Sequence, residues 1–159
     1  MTVNLGMTGA YSVLGATGIA NTGTINVTTL SGDLGLSASG DIVGFRPGIV
    51  NGTTNNKNAA AAQAETDRMT AYNDAEGRTA DAVFAGNNKG RTYTPGVYFS
   101  SGAFVLTGTM YLDAGGDPNA VFIFNVNAAL NTAAASNVSL INGAQPNNVF
   151  WRATGAVGT

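Results

Sequence analysis

Asn58-Ala-Ala-Ala-Ala-Gln-Ala-Glu-Thr-Asp-Arg-Met-Thr-Ala-Tyr-Asn-Asp-Ala75 reads as helix, while almost everything around it reads as short strands punctuated by Thr, Asn and Gly. Alanine and unbranched side chains favour helix, and Asn58, or equally Asn55 or Asn56, is a suitable N-cap. The spacing predicts a helix over 58–76, with acidic Glu65 and Asp67 toward its first half and Gly77 as the C′ stop. Ala61, Ala64, Ala71 and Ala75 form a narrow stripe of small residues beside Met69 and Tyr72, interrupted only by Arg68. Such a stripe lets a helix lie close against a flat sheet. A helix of this length is roughly 27 Å long at about 1.5 Å per residue. Stacked strands repeat at about 4.8 Å, so the helix spans some five or six rungs. One long helix among many short strands does not match a sandwich, a barrel or a βαβ fold. It points to a solenoid of strands with the helix along it, in one domain covering 1–159.

Before the helix, short alternating segments at 11–14, 19–27, 34–36 and 42–43 suggest about four strands, and Gly44-Phe-Arg-Pro-Gly48 marks a turn. After it, 78–89 reads as a connection containing Val83-Phe84. Strands are expected at 91–99, 103–112, 120–126 and 148–151, while 130–141 carries a small-residue segment, Thr132-Ala-Ala-Ala-Ser136. Segment 120–126 is the most apolar and the best candidate for a fully buried strand. Tyr98, Phe122, Phe124, Phe150 and Trp151 fall in apolar strands and read as core. No exact repeat of fixed period is visible.

Only 10% of the residues are charged, against about a quarter in an average domain, and the net charge is −2 with no run of Lys or Arg. Nucleic acid and anionic membranes are poor partners for such a chain. The absence of Cys and His removes disulfides, thiolate chemistry, thiolate or imidazole zinc sites and every Ser-His or Cys-His nucleophile. No window reaches transmembrane length, and the first residues show no signal peptide. Asp33, Asp41, Asp113 and Asp117 sit beside Gly or Pro, or in polar loops, and read as turn residues. The loop 114–119 offers too few oxygens for calcium, and glycoside hydrolysis would need a carboxylate pair. Asp74, Glu76 and Arg78 are expected to form a polar cluster at the helix end. No cofactor and no metal are expected.

The order of elements is similar to that of a known family. Asn4-Leu-Gly6, Tyr11-Ser-Val-Leu14, Gly32-Asp-Leu-Gly35 and Gly44-Phe45 with Pro47-Gly48 precede the Ala-rich helix, which continues into Tyr72-Asn-Asp-Ala-Glu-Gly-Arg-Thr79. Tyr93-Thr-Pro-Gly-Val-Tyr98, Leu112-Asp-Ala114, Gly116-Asp-Pro-Asn-Ala-Val-Phe-Ile-Phe124, Leu140-Ile-Asn-Gly-Ala-Gln145 and Asn148-Val-Phe-Trp151 follow. Together these pieces resemble the microbial ice-binding proteins of the DUF3494 family. The resemblance implies an irregular (discontinuous) β-solenoid of triangular section with one long α-helix packed alongside. It also implies a secreted, non-enzymatic protein with one flat face that adsorbs to ice. Family members continue past the Phe-Trp strand with further coils, and this chain stops at Thr159. A monomer is expected, with an exposed edge coil able to pair with another chain.

A face for ice needs rigidity, flatness and spacing, and needs neither charge nor a pocket. Threonine suits it because β-branching restricts its rotamer and holds hydroxyl and methyl in place. The candidate ice-facing residues are Thr17, Thr22, Thr24, Thr107, Thr109, Thr132, Ser136 and Thr154. For any one of them, an ordinary solvent-facing strand position is the competing reading. The alternative functions are a carbohydrate-binding or adhesion module, which exposed aromatics along a groove would favour, and a polysaccharide-active enzyme, which clustered acids would favour.

Overall fold

Every strand pairing in the computed structural model, which describes residues 1–22 and 28–158, is parallel. Parallel neighbours cannot be joined by hairpins, so the chain must travel round before it pairs with itself. It divides into two compact units, Asn4–Ala71 and Met1–Val3 with Tyr72–Thr159.

The first unit holds β1 (Tyr11–Gly15), β2 (Ile19–Ala20), β3 (Thr29–Leu30), β4 (Asp33–Leu36), β5 (Ile42–Val43), β6 (Ile49–Val50) and β7 (Thr54–Asn56). They form three sheets, β1-β4-β7, β2-β5 and β3-β6, so each strand pairs with the third strand onward and the path is a three-sided coil. Six strands replace the four expected before Gly52, because each side of a coil admits only a few residues before a corner. Of the alternation expected at 19–27, Ile19–Ala20 forms a strand, and residues 23–27, Thr24 among them, lie outside the described residues. The next corner needs glycine at Gly44. Its φ is +78°, and a Cβ there would lie 1.8 Å from the Asn21 carbonyl oxygen. Leu34 and Leu36 are fully buried. Gly35 between them points the other way, where the Tyr11 ring and Leu14 would press against any side chain.

The helix α1 (Ala59–Gly77) begins in this unit and ends in the other. Asn58 caps it as expected: its Oδ1 accepts the Ala61 N–H at 3.0 Å, and its Nδ2 donates to Asn55 Oδ1. All four stripe alanines are buried. The close approach that they permit is visible in the 3₁₀ turn Gly6–Ala10, where the Thr8 hydroxyl donates to the Ala64 carbonyl at 2.6 Å. Glu65 and Asp67 lie in the first half of α1, as expected, and Glu65 pairs with Arg68 at 2.7 Å. Two local expectations change. Gly77 is the last helical residue and not a left-handed stop. Met69 is exposed, so the buried stripe is alanine alone here.

The second unit holds β8 (Ala82–Val83), β9 (Thr92–Tyr93), β10 (Gly96–Ser100), β11 (Phe104–Leu106), β12 (Thr109–Asp113), β13 (Phe122–Val126), β14 (Leu130–Thr132), β15 (Asn137–Ile141), β16 (Val149–Ala153) and β17 (Val157–Gly158). Its sheets are β16-β13-β10-β8, β11-β14-β17 and β15-β12-β9, again three sides of a coil. Strand β13 is buried at every position, as the apolar run 120–126 predicts. Phe124 stacks on Trp151 at 4.2 Å and on Tyr98 at 5.3 Å, each its register partner on the neighbouring rung. The expected strand 103–112 breaks into two at Thr107-Gly108. The small-residue segment within 130–141 separates β14 from β15, and Ala135 there takes φ +61°. Phe150 is only half-buried: it pairs with Ile123, on the strand side opposite the core residues Phe122 and Phe124. The expected cluster at the helix end also separates. Arg78 pairs with Asp74 at 2.7 Å and donates to the Thr2 carbonyl, while Glu76 pairs with Arg152.

Two substitutions test these anchors by urea unfolding. Asn58→Ala removes the cap and should cost about 1 kcal/mol. Phe124→Ala removes the ring stacked between Tyr98 and Trp151 and should cost about 3–5 kcal/mol.

Candidate functional site

Strand alternation decides which side chains of the second unit look outward, and its three sheets present three different surfaces. On β16-β13-β10-β8, register places Val83, Phe99, Asn125 and Arg152 in one outward column. The helix end covers part of it. Asn125 Nδ2 donates to the Ala75 carbonyl at 2.7 Å, and Arg152 pairs with Glu76 while its guanidinium lies 4.4 Å from the centre of the Tyr72 ring. On β15-β12-β9 the outward rows are Thr92–Tyr111–Ser139, Thr109–Asn137 and Asp113–Ile141. That side carries an exposed aromatic and a carboxylate. Hydrogen bonds from the Gly115 N–H and the Asn142 amide hold the Asp113 carboxyl below its ordinary range.

The sheet β11-β14-β17 differs from both. Its outward row is Val105, Asn131 and Gly158, with Asn87 bridged to Val105 on the preceding rung. At its leading corner the register aligns Ser101-Gly-Ala103, Asn127-Ala-Ala129 and Thr154-Gly-Ala156, one set per coil. Backbone bonds lock these rows together: Phe104 N–H to Ala129 O and Leu130 N–H to Ala156 O at 2.9 Å, and Gly155 N–H to Ala128 O at 3.0 Å. At the trailing corner Asn87 Nδ2 donates to Thr107 Oγ1 at 2.5 Å, and the Thr107 N–H returns a bond to Asn87 Oδ1. The stem of Lys89 lies over Gly108 at this trailing corner. Among the described residues, the outward row and the leading corner carry no charge and no ring. They repeat at the strand spacing of about 4.8 Å.

The threonine candidates scatter over this geometry. Thr107 and Thr154 are exposed and border the uncharged sheet. Thr109 opens β12 on the side that holds Tyr111. Thr132 is the register partner of buried Leu106, so alternation turns its side chain inward, and it is half-buried. Ser136 is half-buried in the corner before β15. In the first unit Thr17 is exposed at the corner between β1 and β2, and Thr22 is exposed just after β2; Thr24 lies outside the described residues. Asn87, Ser101, Ala103, Asn127, Ala129, Asn131 and Ala156, which residue type alone does not single out, line this sheet and its corners. A signal existed in Ser-Gly-Ala-Phe104, Asn-Ala-Ala-Leu130 and Thr-Gly-Ala-Val157, a degenerate motif recurring once per coil.

The acidic residues serve the backbone. Asp33 accepts from the Thr53 N–H, Asp81 from Val97, and Asp117 from Asn119, each at 2.8 Å. Asp41 lies 3.7 Å from Lys57. A recess of about 380 Å³ includes Arg78, Asp81 and Asp117 in its lining, which are engaged in these turn and helix-end contacts. No group of three metal-ligating side chains occurs among the described residues.

Residues 13–159 match the model of the family described as Ice-binding-like. An ice-binding protein of Nostoc sp. (strain HG1) is 40% identical over 147 residues, covering 92% of this chain and 54% of that protein. The chain thus spans about half the length of this relative. The crystal structure of an ice binding protein from an Antarctic biological consortium superposes with a TM-score of 0.94 at 38% identity, covering all of this chain and 72% of the other. That of the Antarctic ascomycete Antarctomyces psychrotrophicus gives 0.93 at 32% identity, covering all of this chain and 78% of the other. The fold is accordingly their β-solenoid of parallel sheets with one helix, and the chain belongs to the ice-binding-like protein family.

Proposed function

We propose that this chain adsorbs to ice through the side formed by β11, β14 and β17, with its Ser101/Asn127/Thr154 corner and the Asn87–Thr107 pair. The observation that carries the reading is the recurrence, once per coil, of a hydroxyl or amide followed by two small residues on a surface without charge. Ice is a neutral lattice of water. A stiff plane that already holds water in fixed positions loses little further freedom on contact with it. Alanine and glycine keep the surface level, while the hydroxyls and amides supply the anchoring hydrogen bonds, with bridging waters as part of the recognition surface. Adsorption at many points pins the growth front and inhibits both growth and recrystallisation. The action requires no covalent step, no cofactor and no protein partner, and it takes place outside the cell, where ice forms. Thr107 and Thr154 remain in the proposed face; Thr17 and Thr22, beside exposed Ala20 and Val43, are proposed as a candidate patch of the first unit by itself. A carbohydrate-binding role would draw on exposed Tyr111 between Thr92 and Ser139, but a single ring makes a poor stacking platform.

The test is the shape of an ice crystal held in protein solution near its melting point. The parent protein should facet or arrest the crystal. Ala129→Tyr and Asn131→Tyr should abolish most of that effect with unchanged circular dichroism, while Ser139→Tyr, on another side, should retain it. Freely growing discs with the parent protein would remove the function. Loss in Ser139→Tyr alone would move it to the β15-β12-β9 side.

The same face contains nothing that titrates near neutrality, so ice shaping should be flat between about pH 5 and pH 9. Stability should hold as well. The Asp74 carboxyl, held down chiefly by its hydrogen bond to Arg78, is displaced below its ordinary range, as is Asp113. A depressed carboxyl contributes above its unfolded pKa and loses that contribution only as pH falls through the folded one. Crystal morphology and thermal unfolding across a pH series check both statements.

A further inference from the structure

The helix-covered side of the second unit contains two buried polar atoms that no group among the described residues satisfies. Asn125 and Arg152 are register partners on β13 and β16, only 4% and 6% exposed. The Asn125 amide has no choice of orientation, because Nδ2 donates to the Ala75 carbonyl at 2.7 Å. Its Oδ1 is therefore turned away from that bond and has no donor. Arg152 is held on three sides: Nη1 donates to Asn127 Oδ1 at 2.8 Å, Nη2 donates to Glu76, and the guanidinium lies over Tyr72. Its Nε–H has no acceptor. A buried acceptor and a buried donor on adjacent rungs, not bonded to each other, are each costly to leave unmade.

We infer that one structural water is held between Arg152 Nε and Asn125 Oδ1, accepting from the first and donating to the second. The chemistry of the two atoms selects the ligand. An anion would face the lone pairs of Asn125 Oδ1, and a metal cation would face a guanidinium. A neutral molecule that both donates and accepts suits both, and buried waters typically bridge such pairs of unsatisfied groups. The water completes a polar seam that ties the last turns of α1, through Tyr72, Ala75 and Glu76, to β13 and β16. Through Arg152 it also steadies Asn127 at the corner of the uncharged sheet. The inference stands independently of ice binding.

Nuclear magnetic resonance of the arginine Nε–H groups tests it in the intact protein. Arg152 Nε–H should show a cross-peak at the water frequency with the sign of a contact outlasting molecular tumbling, while exposed Arg46 should not. Asn125→Leu, which removes the acceptor, should abolish that cross-peak. A parent spectrum in which Arg152 Nε–H contacts only the Asn125 side chain, or shows no long-lived water, overturns the inference. So does persistence of the signal in Asn125→Leu. The parent spectrum decides the matter even where Asn125→Leu does not fold.

Discussion

Parallel pairing between strands one coil apart is the constraint from which the other features follow. It fixes the rung spacing, and with it the distance between equivalent side chains on every side of each coil. Like residues therefore stack on like: Tyr98, Phe124 and Trp151 inside, and Ala103, Ala129 and Ala156 at a corner. Aromatic stacking within the core and a level exterior are two results of one register. A slip of one residue would exchange inward for outward positions along a strand. The fully buried β13 resists such a slip most strongly.

The helix imposes a second, complementary condition. Elements that it covers must accept a backbone at close range, which fits the buried alanines and the bonds from Thr8 to the Ala64 carbonyl and from Asn125 to the Ala75 carbonyl. Where the contact turns polar, as at Asn125 and Arg152, most of the polar groups find protein partners across it. The covered side and the open side consequently follow opposite rules. One demands mutual satisfaction of buried groups, whereas the other leaves hydroxyls, amides and small residues free for solvent.

Local features were legible in the sequence. The helix, its Asn58 cap, the alanine stripe and the buried strand β13 all depend on residues close together in the chain, and the order of pieces pointed to the family. Features fixed by closure of a coil were not. Nothing in Phe104-Val-Leu-Thr-Gly-Thr-Met says that the chain turns at Thr107-Gly108, because one glycine in an apolar run also fits a continuous strand. Glu76 finds Arg152 across 76 positions of sequence, a pairing that no local pattern announces. Threonine chemistry is legible in the sequence, but which way a side chain points depends on rotation about the strand axis. Thr132 turns inward on β14, whereas Ala129, with no distinctive chemistry, stands at a corner of the uncharged sheet.

Freezing rejects dissolved salts into the remaining liquid, so the brine beside a growing crystal becomes far more concentrated than the bulk. Contacts made by exposed charges weaken there, since the Debye length shrinks to about 3 Å at 1 M ionic strength. The outward row and leading corner of the sheet β11-β14-β17, with Asn131, Ser101 and Thr154, have no such contacts to lose. As the surface proposed to meet ice, they would be indifferent to the salinity that solidification itself creates.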